Sequence, residues 1–169
     1  MPNVFVTGAT WDLPIAKQHR YLGGWQLTGM MTLQSGVPLA LTQITNFNAF
    51  AGFGTQRPNR IADPELSASE RSTSKWFDTG AFTVAPQFTL GNSSRNPVRG
   101  PAYRNLDVAL IKHTKVTETV DVEFRTEVFN FTNTPPLGAP NVVLGNAAFG
   151  TIIAAGDPRV IQFGLKVNF

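Results

Sequence analysis

Apolar and polar residues alternate, one for one, over five separated stretches of this chain. Residues 3–13 carry Phe5, Thr7, Ala9, Trp11 and Leu13 on one side. Residues 25–34 set Trp25, Leu27, Gly29, Met31 and Leu33 against Gln26, Thr28, Met30, Thr32 and Gln34. Residues 105–114 place Leu106, Val108 and Leu110 at even positions. Residues 119–130 do the same with Val120, Val122, Phe124 and Val128, and put Asp121, Glu123, Arg125 and Glu127 at the odd ones. The last nine residues, 161–169, alternate Ile161, Phe163, Leu165, Val167 and Phe169 with Gln162, Gly164, Lys166 and Asn168. A side-chain period of two belongs to a β-strand. The pattern therefore predicts five strands, each with one apolar and one wet face.

The intervening segments alternate in length. Residues 14–24 read as a short connection, because Pro14 closes a strand and Gly23-Gly24 opens a turn. Residues 115–118 form a tight hairpin between the third and fourth strands. Past Ser35-Gly36 the second strand is expected to resume through Val37, Leu39 and Leu41, with Pro38 at a bulge or edge position. Residues 43–104 and 131–160 then lose any sustained period and read as two long, structureless connections. Loops beyond ~12–15 residues are uncommon in compact soluble domains. Outer-membrane barrels differ, since short periplasmic turns alternate there with long extracellular excursions. The expected fold is all-β: an antiparallel up-and-down meander, a partial transmembrane β-barrel of about five strands with long extracellular loops. Five is an odd number and bacterial barrels are even-stranded, so these strands are not expected to close by themselves.

Composition agrees with this reading. Fifteen Gly and twelve Pro leave little room for long helices, and thirteen Phe suit strands. No run approaches the ~20 apolar residues of a membrane helix. A mean hydropathy of -0.06 does not separate a soluble protein from a barrel, in which every second residue faces the lumen. The absence of cysteine excludes disulfides, thiolate metal sites and cysteine nucleophiles. Residues 1–7 lack a basic stretch followed by an apolar core, so no secretory signal is read there.

Charge is unevenly placed. Residues 43–104 hold seven basic side chains (Arg57, Arg60, Arg71, Lys75, Arg95, Arg99, Arg104) and four acidic ones (Asp63, Glu65, Glu70, Asp78), against seven of each elsewhere. The net charge of +3 thus falls in the proposed external loop. A solvated surface and a specific anion or polysaccharide contact both fit it.

Candidate chemistry is sparse. His19 and His113 fall in or beside the connections, without the spacing of a metal site. Asp121, Glu123 and Glu127 alternate with Arg125, which reads as a lumen-facing charge ladder rather than an acid/base pair. Trp76-Phe77 reads either as a loop-packing anchor or as a contact for a sugar or aromatic ligand. The chain is expected not to be an enzyme and to use no cofactor or metal.

Several motifs occur in order along the chain. They are Gly24-Trp25-Gln26-Leu27-Thr28-Gly29, Leu33-Gln34-Ser35-Gly36-Val37-Pro38, Arg57-Pro58-Asn59 and Trp76-Phe77-Asp78-Thr79-Gly80-Ala81-Phe82. Arg99-Gly100-Pro101-Ala102-Tyr103-Arg104-Asn105-Leu106-Asp107 and Phe124-Arg125-Thr126-Glu127-Val128-Phe129-Asn130-Phe131-Thr132-Asn133 follow. Asn146-Ala147-Ala148-Phe149-Gly150, Gly156-Asp157-Pro158-Arg159 and the strand ending in Phe169 complete the series. Together they resemble the C-terminal barrel of Oar-like TonB-dependent outer-membrane receptors. The resemblance implies that residues 1–169 are the C-terminal part of a barrel of about twenty-two strands, preceded by a plug and commonly by a carboxypeptidase-regulatory-like domain. It implies residence in the cell outer membrane, contact with outer-membrane lipid, and ligand uptake or binding only within the complete barrel. TonB would be engaged only through the plug, and no nucleic acid is involved. It also implies that Phe163, Leu165, Val167 and Phe169 form an assembly signal read by the barrel assembly machinery through strand pairing.

Two other readings remain. One is an independent soluble β-sandwich that binds carbohydrate through the aromatic-rich middle. It would bury Val120, Val122, Phe124, Phe163, Leu165 and Val167 against a second sheet, whereas a barrel leaves them uncovered. The other is a small porin assembled from several short chains.

Overall fold

The computed structural model describes residues 2–16 and 18–169; Met1, and Lys17 of the expected 14–24 connection, lie outside the described residues. Among the described residues eleven strands follow in chain order. They are β1 Val4–Asp12, β2 Trp25–Gln34, β3 Pro38–Leu39, β4 Thr42–Gln43, β5 Asn59–Arg60, β6 Phe82–Thr83, β7 Val98–Arg99, β8 Tyr103–Lys115, β9 Asp121–Phe129, β10 Val143–Leu144 and β11 Val160–Asn168. Among the described residues the only helical turns are two of three residues each, Ala49–Ala51 and Thr79–Ala81. The chain divides into two compact units.

One unit comprises residues 3–34, 103–136 and 157–169 and is a single sheet in the order β1-β2-β8-β9-β11. Every neighbouring pair is antiparallel. The all-β, up-and-down meander read from the alternation is the fold observed.

Register carries the alternation across all five strands. Trp11, Leu27, Leu110, Thr126 and Phe163 lie opposite one another in one row, and Ala9, Gly29, Val108, Val128 and Ile161 in the next row on the same face. Between them runs the row Thr10, Thr28, Ala109, Glu127 and Gln162, which points the other way. A slip of one residue at any ladder would invert one strand against its neighbours. No such slip occurs.

The apolar face is uncovered. Phe163 is 68% exposed, Leu165 70% and Trp11 59%, where a sandwich would bury them against a second sheet. β1 and β11 are the two edges of an open sheet, so the five strands form part of a barrel wall and not a closed barrel.

The structure changes three local expectations. β8 begins at Tyr103, so Arg104 belongs to a strand and not to the long connection. The stretch after Ser35 does not continue β2; Pro38–Leu39 pairs instead with Val98–Arg99. Finally, residues 43–104 are not structureless. Residues 35–102 and 137–156, drawn from both long connections, build the second compact unit.

That unit has its own core of Leu41, Phe77, Ala81, Phe82 and Val98, with Leu39, Trp76, Val142, Leu144 and Phe149 packed around it. Phe77, Phe82 and Phe149 meet edge to face, with ring centroids 5.2 to 6.2 Å apart. Three two-residue ladders tie it together: β3 with β7 and β5 with β6, both antiparallel, and β4 with β10 in parallel. Gly36 permits one close approach, because a Cβ there would stand 1.9 Å from the Gly100 carbonyl oxygen.

Strands this short leave most backbone groups unpaired, and buried side-chain amides fill the gap. Gln43 donates to the Thr45 and Ala85 carbonyls and to Gln56 Oε1, and its own oxygen accepts from Ala85 N–H at 2.8 Å. Gln56 donates to the Pro86 and Thr89 carbonyls at 3.0 and 2.8 Å and accepts from Phe47 N–H at 2.9 Å. Replacing Gln56 by Leu strands these buried partners. The expected loss is roughly 2–4 kcal/mol of local stability, measured as faster native-state hydrogen exchange at Phe47 and Ala85 while the amides of β8 and β9 stay protected.

Candidate functional site

The wet face of the five-stranded sheet is charged along β9. Arg125 Nε–H donates to Glu123 Oε1 at 2.9 Å, and Arg125 also reaches Glu127 Oε1 at 3.5 Å. His113 Nδ1 lies 3.8 Å from the other Glu123 oxygen. His113 sits near the end of β8, beside the turn that leads to β9. On β11 the partner of Arg125 is Gly164, and a Cβ there would come within 2.9 Å of Arg125 Cγ. The missing side chain lets the arginine stem lie across the β9–β11 pair. Glu123 and Glu127 share the Arg125 guanidinium, an arrangement that suits a wet surface.

β9 ends in a turn built by asparagines. Asn130 and Asn133 both adopt positive φ, 50° and 52°, which Asn tolerates better than most residues. Asn130 N–H donates to Asp107 Oδ1 at 2.9 Å, and its side chain accepts from Thr134 N–H and donates to the Asp157 carbonyl. Asn133 Oδ1 accepts from Arg159 N–H at 3.1 Å. The Phe129-Asn130-Phe131-Thr132-Asn133 and Gly156-Asp157-Pro158-Arg159 motifs thus bond to each other where the chain leaves β9 and where it enters β11.

On the apolar face, Phe163, Leu165 and Val167 project from β11 opposite Thr126, Phe124 and Val122. Phe163 stacks on Phe124 at 6.3 Å with the rings 15° apart. Phe169 follows the last strand residue and is fully exposed. The four residues are gathered on and just beyond one edge strand whose outer flank is unpaired.

Trp76 and Phe77 have different surroundings. Phe77 is 2% exposed and belongs to the core of the second unit. Trp76 is half-buried; its indole N–H donates to the Arg99 carbonyl at 2.8 Å, and the Arg71 guanidinium stands 5.7 Å from its ring centroid. Both residues line a cavity of about 170 Å³ with Pro64, Glu65, Leu66, Arg71, Asn96 and Val98. Nearby, the Ser67 hydroxyl donates to Glu70 at 2.6 Å and Ser67 N–H does so at 3.1 Å. These bonds hold the Glu70 carboxyl below its ordinary range.

Residues 1–162 match the model of a family described as an outer membrane beta barrel domain. The chain belongs to this family. No curated protein and no solved structure matches it.

Membership of the outer-membrane β-barrel family places the protein in the outer membrane and explains the two faces of its sheet. Uncovered Trp, Phe, Leu and Val rows are costly in water and favourable against hydrocarbon. The Glu123-Arg125-Glu127 ladder on the other face suits the aqueous interior of a barrel. Sequence reasoning found both faces and the edge strand. It missed the joint core of the two long connections, for which the only signal was the placing of Phe77, Phe82 and Phe149 in segments otherwise read as loop.

Proposed function

We propose that this outer-membrane β-barrel domain is the C-terminal barrel portion of a TonB-dependent, Oar-like receptor or transporter. It serves ligand uptake or binding as part of a complete barrel, without catalysis, and its long connections face the exterior. The observation that carries this reading is the open five-stranded sheet whose register keeps mostly apolar rows on one face from β1 to β11. An odd meander makes β1 and β11 run the same way. A ring of copies joined β11 to β1 would put a parallel pair at every junction, against an otherwise antiparallel wall, and this disfavours the small assembled porin. Further antiparallel strands beside β1 continue the pattern instead. In this reading the unpaired flank of β11, with Phe163, Leu165, Val167 and Phe169, is what the barrel assembly machinery engages, and TonB acts through a plug elsewhere in the protein.

A wall fragment with two bare edges and an uncovered apolar face is unsuited to water. Residues 1–169 produced alone are expected to aggregate and to stay dispersed only in detergent or lipid, as judged by size-exclusion chromatography with light scattering. A soluble, monodisperse monomer with one cooperative unfolding transition would sink the proposal.

A further inference from the structure

The cavity beside Trp76 changes character from floor to rim. Its floor is made by Pro64, Phe77 and Val98, all buried. One wall is the Trp76 indole, fixed by its bond to the Arg99 carbonyl. The rim carries Glu65, Arg71 and the exposed Asn96. Arg71 is itself held in place, donating from Nε to the Leu66 carbonyl at 2.9 Å and from Nη2 to Glu65 Oε1 at 3.1 Å. Glu65 thus balances Arg71, while Arg99, which also lines the cavity, donates from Nη1 to the Gly36 carbonyl at 3.2 Å and has no carboxylate partner among the described residues. The Asn96 amide has no hydrogen-bond partner among the described residues and presents both a donor and an acceptor.

Size narrows the ligand further. About 170 Å³ is smaller than the roughly 300–1,000 Å³ of sites for drug-sized molecules. One six-membered ring fits that scale. An apolar floor and aromatic wall below a rim of carboxylate, guanidinium and amide match a molecule with an apolar C–H face and a hydroxylated edge. A purely aromatic guest would leave the rim groups facing no partner, which lowers its affinity relative to a hydroxylated one.

We propose that this cavity binds one pyranose ring, either a free sugar or the terminal residue of a glycan. Trp76 supplies the stacking surface, and Glu65, Arg71 and Asn96 bond the hydroxyls. Equilibrium binding needs no energised transport, so this proposal fails or stands separately from the TonB-dependent reading.

The test uses the intact protein purified from outer membranes in detergent. Methyl β-glucopyranoside, methyl β-galactopyranoside, methyl α-mannopyranoside and benzyl alcohol serve as probes, read by saturation-transfer NMR and calorimetry. At least one glycoside is expected to bind, with transfer strongest at ring C–H protons. Asn96→Ala is expected to weaken it about fivefold and Trp76→Ala about tenfold or more. Asn96 is exposed and unbonded, so its variant keeps the test open where Trp76→Ala disturbs the core. An oligosaccharide ending in the preferred ring separates the two sources: equal affinity marks a terminal-residue site, and loss of affinity marks a site for the free sugar. Absence of binding by every glycoside overturns the proposal. So does tighter binding of benzyl alcohol than of any glycoside, or an affinity unchanged in both Asn96→Ala and Glu65→Gln.

Discussion

Phe77→Ala is expected to remove about 3–5 kcal/mol from the unit built by the two long connections, the range for deleting a buried aromatic ring. Phe77 is at the centre of that core: it touches Phe82 and Phe149 edge to face, and the three rings come from both connections. The cavity left behind cannot collapse easily, because its neighbours are pinned by the β5–β6 pair and by the Trp76 N–H bond to the Gly150 carbonyl. Limited proteolysis should then cut within 57–99 and within 141–150 together, since one core serves both. The five-stranded sheet has its own ladders and should keep its hydrogen-exchange protection. Protection of the loop amides at Leu41 and Phe82 equal to that of the parent protein would show that the ring is dispensable.

Leu165→Arg is the second large expected effect, and its size depends on the medium. Leu165 is 70% exposed and lies opposite Phe124 on the apolar face. In water, a change at so open a position would fall within roughly ±0.5 kcal/mol. Against hydrocarbon near the bilayer midplane, Arg on a barrel's lipid face costs about 2–4 kcal/mol. Denaturant titration of the intact protein in lipid should show a loss in that range. Lys166→Ala, on the opposite face, is the internal control and should change stability little. A near-zero cost for both would mean that the apolar rows do not meet lipid.

Legibility in the sequence followed from how far each interaction reaches. Strand existence, face assignment and the short hairpin at 115–118 were readable because each rests on neighbours one or two residues apart. The Glu123-Arg125-Glu127 ladder was readable for the same reason: its three members lie at alternate positions of one strand. Even the ends of strands were approximate, however. Arg104 looked like loop because only its pairing with Leu33 draws it into β8.

The candidate site divides along the same line. Phe163, Leu165 and Val167 were placed on one face of a strand by alternation, and their pairing with Thr126, Phe124 and Val122 agrees. Trp76 and Phe77 are adjacent in sequence, and no local rule separated a buried core ring from a half-buried cavity wall. That division depends on Phe149 and Arg99, which lie 72 and 23 residues away.

By itself the sequence determined that this protein builds a one-sidedly apolar antiparallel sheet, since a period of two records directly which medium each side chain meets. The tertiary structure alone decided that the two long connections share one core. The contacts that do this, Phe77 with Phe149 and Gln43 with Leu144, join distant residues through one ring contact and a two-residue ladder, and they leave no period in the chain.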